Sequence, residues 1–258
     1  MIGPLAYIGG KRRIARQLLP LIPPHTTYVE PFAGGAQLFF HKPRAEVEAL
    51  NDLDDEVVRF LRVCQRHPQE LARILRWQPA SRRLFESLEE RPPDTLTDIE
   101  RAARFYYLQK NAWGGRRVRR SFHYGVTSST SYHPDQLPER LREVADRLAD
   151  VQLESRPYED VLARYDRPTT FFYLDPPYVG VDLYKHNFSH EQFERLAGHL
   201  SKLSGRFLLS INDCPEARRW FAPFHYRTID LTYTSLRRPR IFTELLFANY
   251  PIDSAPRP

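Results

Sequence analysis

Hydrophobic positions along the first fifty residues switch between helical and strand spacing. Ile14, Leu18 and Leu19 fall on one face of a predicted helix, and Tyr28-Val29 reads as a short buried strand. The run Glu30-Pro31-Phe32-Ala33-Gly34-Gly35 follows. After it come a short helix through Leu38, Phe39 and Phe40 and a second strand over 47–50 leading into Asn51-Asp52. Strand, glycine turn, helix, strand and acid, in that order, predict the opening of a parallel α/β sheet.

From 54 to about 109 the period is helical throughout. Val57, Val58 and Leu61, then Leu71, Ile74 and Leu75, then Leu84 and Leu88, then Phe105 and Leu108 recur, with Pro68, Pro79, Pro92 and Pro93 as punctuation. The Gly/Arg/Ser/Thr stretch 113–134 has no period and predicts a loop or hairpin, followed by one helix around 141–148. Strand signals return at 151–153, 171–174, 207–211, 226–231 and 241–247, with helices at 159–165, 190–203 and 215–221. The pattern predicts one sheet divided in sequence. Its parts, 1–53 and 150–258, flank a mainly helical insertion over 54–149.

Composition narrows the class. The 258 residues are 41% hydrophobic and 13% aromatic, too apolar for a disordered chain. No apolar run approaches the roughly 20 residues of a membrane helix, and the N-terminus lacks the order of a signal peptide, so a cytoplasmic protein is expected. Cys64 and Cys214 are too few for a disulfide framework or structural zinc and are expected as buried thiols. His25, His41 and His67 make no ligand spacing, and no metal is expected. Trp77 and Trp220 are expected as packing residues rather than functional ones.

Charge is more informative. Lysine and arginine number 38 against 32 acids. The segment 101–134 holds Arg101, Arg104, Lys110, Arg116, Arg117, Arg119 and Arg120 and no acid; 38 less these seven leaves 31 basic residues against 32 acidic ones. A near-neutral body with one basic segment points to a polyanionic partner. Arginine supplies 33 of the 38 bases, which suits bidentate phosphate and guanine contacts, although genomic base composition produces the same bias. Arg237-Arg238-Pro239-Arg240 is a second basic cluster, read either as a loop at a nucleic-acid edge or as a charged hairpin.

Two motifs carry chemistry. The glycine turn after the first strand lets backbone approach a ligand, but it does not match G-x-G-x-x-G, which argues against a nicotinamide enzyme. Asp52 ends the second strand, where an acid can accept two ribose hydroxyls; an N-cap before Glu56 is the alternative. Asp175-Pro176-Pro177-Tyr178 follows the apolar strand 171–174 directly. Two prolines stiffen this turn and leave carbonyls without neighbouring N–H donors. A carboxylate, a carbonyl and an aromatic face at the carboxyl end of a central strand suit a planar amino group: Asp175 and the Pro176 carbonyl each accept one N–H, and Tyr178 stacks on the ring.

The order Gly9-Gly10-Lys11, the glycine turn, Asn51-Asp52-Leu53-Asp54, a basic insertion, Asp175-Pro176-Pro177-Tyr178 and a late strand over 243–250 resembles the Dam-type, class α DNA adenine-N6 methyltransferases over nearly the whole chain. The resemblance implies a Rossmann-like sheet that uses S-adenosylmethionine (SAM), with 1–53 and 150–258 as its catalytic domain and 54–149 as an inserted target-recognition domain. It implies methyl transfer to adenine N6 in double-stranded DNA, with the base flipped; the oligomeric state is left open, a monomer being one reading. Tyr7 and Lys11 match the N-terminal motif that contacts SAM; Glu30, Phe32 and Gly34 match its methionine side, Asp52 the ribose acid and Tyr158 an aromatic against the cofactor adenine. Asp175, with Pro176 and Tyr178, matches the catalytic motif and touches the cofactor as well.

Within the insertion Asn111, Trp113, Arg116, Arg117, Arg119, Arg120, His123 and Tyr124 are the implied DNA contacts. Trp113-Gly114-Gly115 and His123-Tyr124-Gly125 stand where GATC-methylating members carry Phe-Asn-Gly and Phe-Asn-Val-Pro-like segments, so GATC is not implied as the target. The alternatives are a SAM-dependent enzyme acting on RNA or a protein amide, and a DNA-binding module with an inactive pocket.

Overall fold

The computed structural model describes residues 3–5, 11, 14–112, 120–123, 132–182, 184–233 and 240–252. Seven strands form one sheet: β1 (Thr27–Glu30), β2 (Val47–Asn51), β3 (Gln152–Glu154), β4 (Thr170–Leu174), β5 (Arg206–Asn212), β6 (His225–Tyr233) and β7 (Arg240–Ala248). Their order is β3-β2-β1-β4-β5-β7-β6. Strands β1 to β5 are parallel, and β7 runs antiparallel to both β5 and β6. Parallel neighbours need a crossover of a dozen or more residues, and only six separate β6 from β7, so these two pair as a hairpin. The chain winds outward from β1 to β3 and then returns to place β4 beside β1. That reversal opens a crevice at the carboxyl ends of β1 and β4, where open α/β sheets bind ligands.

The central strands are apolar on both faces. Tyr28, Phe171, Tyr173 and Leu208 belong to one buried cluster, and their neighbours Val29, Phe172, Leu174 and Leu209 to the other. Period-two alternation thus supplies two cores. Helices α8 (Tyr158–Tyr165), α9 (His190–Leu200) and α10 (Pro215–Trp220) cover the second. The first is shared by α1 (Ala15–Leu18), α2 (Gln37–His41) and the five helices between β2 and β3: α3 (Asp55–Arg66), α4 (Pro68–Arg76), α5 (Arg82–Glu90), α6 (Asp98–Asn111) and α7 (Leu137–Leu148). Glu48 on β2 anchors α7 through buried pairs, with Lys42 Nζ at 2.7 Å and Arg147 Nη2 at 2.9 Å.

Several expectations change here. The cap of α3 is Asp54, whose side chain accepts from the Glu56 amide at 3.3 Å, so the N-cap alternative for Asp52 falls away. Trp77 is 77% exposed, with the Arg76 guanidinium over its ring, whereas Trp220 is buried against Phe193. Trp77 is the C-cap of α4, two residues before Pro79, and follows the exposed Arg76 on the solvent side of the helix end. Cys64 is buried, but Cys214 is half-buried and caps α10. No helix among the described residues is long and apolar enough to cross a membrane.

Candidate active site

A cavity of about 280 Å³ opens at the carboxyl ends of β1, β2 and β4. Lys11, Glu30, Phe32, Gly34, Asp52, Tyr158 and Asp175 all line it, drawn from positions spread over 165 residues of chain. Tyr7 lies outside the described residues.

The turn after β1 sets one wall. Gly34 has φ +48°, a left-handed conformation that costs glycine little, and its N–H donates to Asp52 Oδ2 at 2.8 Å. Asp52 Oδ1 accepts from the Asp54 amide at 2.9 Å. The half-buried Asp52 carboxylate therefore fixes the turn while facing the cavity. Asn51 joins two loops: its Nδ2 donates to Pro31 O at 2.8 Å and Arg156 O at 3.0 Å, and its Oδ1 accepts from Arg156 N at 2.9 Å. Phe32, Tyr158 and Phe188 form an aromatic wall with centroids 5.3–5.7 Å apart. At the polar end Glu30 is buried and accepts from Tyr28 Oη at 2.6 Å and the Phe39 amide at 2.9 Å. Burial, reinforced by the charge of Asp175 against those hydrogen bonds, pushes its carboxyl up to about 8.

Asp175 ends β4 beside an ion-pair network. Lys11 Nζ lies 2.9 Å from Asp175 Oδ1 and 3.1 Å from Glu244 Oε1, and it donates to Tyr178 Oη at 2.5 Å. The Tyr178 hydroxyl donates to Glu244 Oε1, and Ser210 Oγ donates to Glu244 Oε2 at 3.0 Å. Burial raises Asp175, Lys11 opposes it and Glu244 adds to it, leaving the carboxyl at about 6. Burial alone would lower Lys11, but Asp175 and Glu244 outweigh it and hold the ammonium charged well above its ordinary range. The Asp-Pro-Pro-Tyr turn is clamped to β5 by Asn212, whose Oδ1 accepts from Val179 N at 2.9 Å and whose Nδ2 donates to Val179 O at 3.2 Å. Pro176 is buried in this turn. Neither Pro176 nor Tyr178 lines the cavity, although Pro177 does.

Asn51, Phe188, Asn212 and Glu244 were not singled out from the sequence. Asn51 stands inside Asn51-Asp52-Leu53-Asp54 and Glu244 within the late strand over 243–250; the other two carry no local signal.

The basic segment is divided. Arg101 pairs with Glu56 and Asp94, Arg104 Nη2 donates to Glu89 O at 3.0 Å, and Lys110 is buried over the Tyr106 ring, so these three charges serve the packing of α6. Asn111 ends α6, is 2% exposed, and turns its Nδ2 back to Tyr107 O at 2.9 Å. An amide enclosed in this way is not placed to read a base edge. The Asn111 carbonyl accepts from His123 N at 2.8 Å, and Ala112 bridges Phe122 antiparallel, closing the base of the segment. Arg120 and His123 are half-buried. Trp113, Arg116, Arg117, Arg119 and Tyr124 lie outside the described residues, as do residues 237–239.

Comparison with known proteins identifies the family. The model of the D12 class N6 adenine-specific DNA methyltransferases matches residues 7–235. The Type II methyltransferase M.CviBI of Paramecium bursaria Chlorella virus NC1A is 26% identical over 214 residues, covering 80% of each chain. Among solved structures, an rRNA methylase from Streptococcus thermophilus has a TM-score of 0.38 at 11% identity, covering 90% of this chain and 93% of its own. SMU.472, a putative methyltransferase complexed with SAH, has a TM-score of 0.30 at 12% identity, covering 96% and 81%. Likenesses this weak carry no weight for the assignment. The family match spans the glycine turn, the helices between β2 and β3 and the Asp-Pro-Pro-Tyr turn, and it does not favour an RNA, protein-amide or inactive alternative. A chain matched over this much of its length belongs to the D12 class N6 adenine-specific DNA methyltransferase family.

Proposed function

We propose that the cavity lined by Glu30, Phe32, Gly34, Asp52 and Tyr158 holds SAM and that Asp175 is the catalytic carboxylate for methylation of adenine N6 in DNA. The convergence of these residues with Lys11 on one cavity carries the reading. The donor set fits the cofactor: a carboxylate for ribose hydroxyls, a three-ring aromatic wall for a purine and a buried acid at the polar end for an amino group. When bound, SAM supplies an electrophilic methyl group on a sulfonium.

The residues of the chain then act on the amine. The lone pair of an exocyclic adenine amine is conjugated into the ring, which makes it a poor nucleophile. Asp175 accepts one N–H and the Pro176 carbonyl the other, favouring the pyramidal amine of the transition state, while Tyr178 offers a face to the base. Acceptors fixed before the reaction need no reorganisation during it. The Asn212 clamp on Val179 holds the turn that presents them.

An adenine inside a duplex cannot reach such a pocket, so the base is flipped outward. The helices between β2 and β3 form the target-recognition part, with Arg120, His123 and the adjoining residues Trp113, Arg116, Arg117, Arg119 and Tyr124 contacting DNA. Asn111 supports the start of that segment from within α6.

Incubation with tritiated SAM and duplex DNA, RNA or bulk protein, followed by nucleoside mass spectrometry, tests the reading. N6-methyladenine in the DNA alone is expected. Label confined to RNA or protein would contradict it.

A further inference from the structure

Glu244 on β7 has no part in the reaction as described, yet it is among the most enclosed charges of the site. It is 2% exposed and lies 233 positions from Lys11 in sequence. Its Oε1 meets the Lys11 ammonium and the Tyr178 hydroxyl, and its Oε2 is held by Ser210. Lys11 is thus one cation shared by two carboxylates, Asp175 at 2.9 Å and Glu244 at 3.1 Å.

A lysine paired with Asp175 alone would neutralise it. An ammonium within hydrogen-bond distance favours the charged form of a carboxylate and weakens it as a proton acceptor. A second carboxylate on the same ammonium divides that attraction. We propose that Glu244 is a positioning residue for Asp175: it is the counter-ion that occupies Lys11, so that Asp175 keeps the basicity needed to take the N6 proton, and it holds the Tyr178 hydroxyl in the same network.

The inference rests on the methyltransferase reading of Asp175. In that reaction the N6 lone pair forms the N–CH3 bond while the S–CH3 bonding pair returns to sulfur. N6 then carries one surplus proton. The proton passes to Asp175, its bonding pair staying on nitrogen, and leaves the neutral acid for water.

The charged and titratable groups facing Asp175 come from five elements. They are Lys11 from the N-terminal turn, Glu30 from β1, Tyr173 from β4, Tyr178 from the following turn and Glu244 from β7. Burial keeps both tyrosines neutral and leaves Glu30 mostly protonated at neutral pH. The balance at Asp175 therefore lies between Lys11, which lowers it, and Glu244, which raises it.

Single-turnover methylation of duplex DNA, measured against pH for wild type, Glu244→Gln and Lys11→Gln, tests the inference. Wild type is expected to lose activity through an acid limb near pH 6. Glu244→Gln moves that limb down by about one pH unit and lowers the plateau rate roughly tenfold, with SAM affinity retained. Lys11→Gln moves it upward. Opposite shifts would not arise from loosened packing, which lowers rates without moving a limb. Glu244→Asp, which withdraws the charge by one methylene, is the fallback if Glu244→Gln does not fold; it shifts the limb downward by less. A wild-type limb unmoved in the Glu244 variants would overturn the inference and leave the methyltransferase reading intact. A wild type inactive at every pH would overturn that reading and the inference with it.

Discussion

The Gly34 N–H donates to Asp52 Oδ2 at 2.8 Å, so the acid after β2 holds the glycine turn after β1. The other oxygen of the same carboxylate accepts from the Asp54 amide at 2.9 Å. Hydrogen bonds to a charged group contribute about 1.5–3 kcal/mol each, and an unsatisfied buried amide costs a similar amount. Asp52→Ala is expected to lower unfolding free energy by about 1–3 kcal/mol and to weaken SAM binding at least tenfold. Urea unfolding and calorimetric titration check the two effects separately. Stability lost with full SAM affinity would confine Asp52 to the turn.

Glu30 titrates near 8 in the folded chain against an ordinary 4.5, chiefly through burial. Below about 4.5 the carboxyl is protonated folded and unfolded, and its stabilising contribution is fully present. Between 4.5 and 8 only the folded chain holds the proton, so stability falls as pH rises and the contribution is gone above 8. Unfolding of the SAM-free protein followed from pH 5 to 9 should show this decline, and Glu30→Gln should flatten it. Equal slopes in the two proteins would contradict the assignment.

Phe188 stands 5.6 Å from Phe32 and 5.7 Å from Tyr158, completing the aromatic wall of the cavity. Aromatic contacts add about 0.5–1.5 kcal/mol beyond the area they bury. Phe188→Ala is expected to raise KM for SAM roughly tenfold with kcat within about threefold, because the catalytic acceptors are untouched. Steady-state kinetics at saturating DNA measure both constants. A collapse of kcat with KM unchanged would place Phe188 in the reaction rather than in binding.

The parts legible in the sequence are those written in short contiguous runs. The glycine turn, Asp52 and Asp175-Pro176-Pro177-Tyr178 announce themselves because one strand end and one turn determine their geometry, and the described residues among them reach one region of the fold. Glu244 and Asn212 were not legible as site residues, because their partners Lys11 and Val179 lie 233 and 33 positions away and only the finished sheet brings them together. The count of basic residues pointed to a polyanion but did not say which charges are free to meet it. Arg101, Arg104 and Lys110 contribute to the excess in 101–134 but are engaged within the helices, and Asn111 is enclosed beside them. Composition counts charges and does not see which are already paired. Spacing likewise could not tell that β7 reverses between β5 and β6, because an apolar strand reads the same in either direction.

Turnover by Asp175→Ala on duplex DNA at saturating SAM measures the acceptor at the end of β4 most directly, with circular dichroism and SAM titration confirming a folded, cofactor-competent protein. Losing one preorganised electrostatic contact costs about 2.7–4 kcal/mol, or roughly 10²–10³ in kcat, and Asp175 is also asked to take a proton. The expected result is a rate at least 10³-fold below wild type with SAM still bound. A folded Asp175→Ala protein that forms N6-methyladenine at close to the wild-type rate would contradict the account.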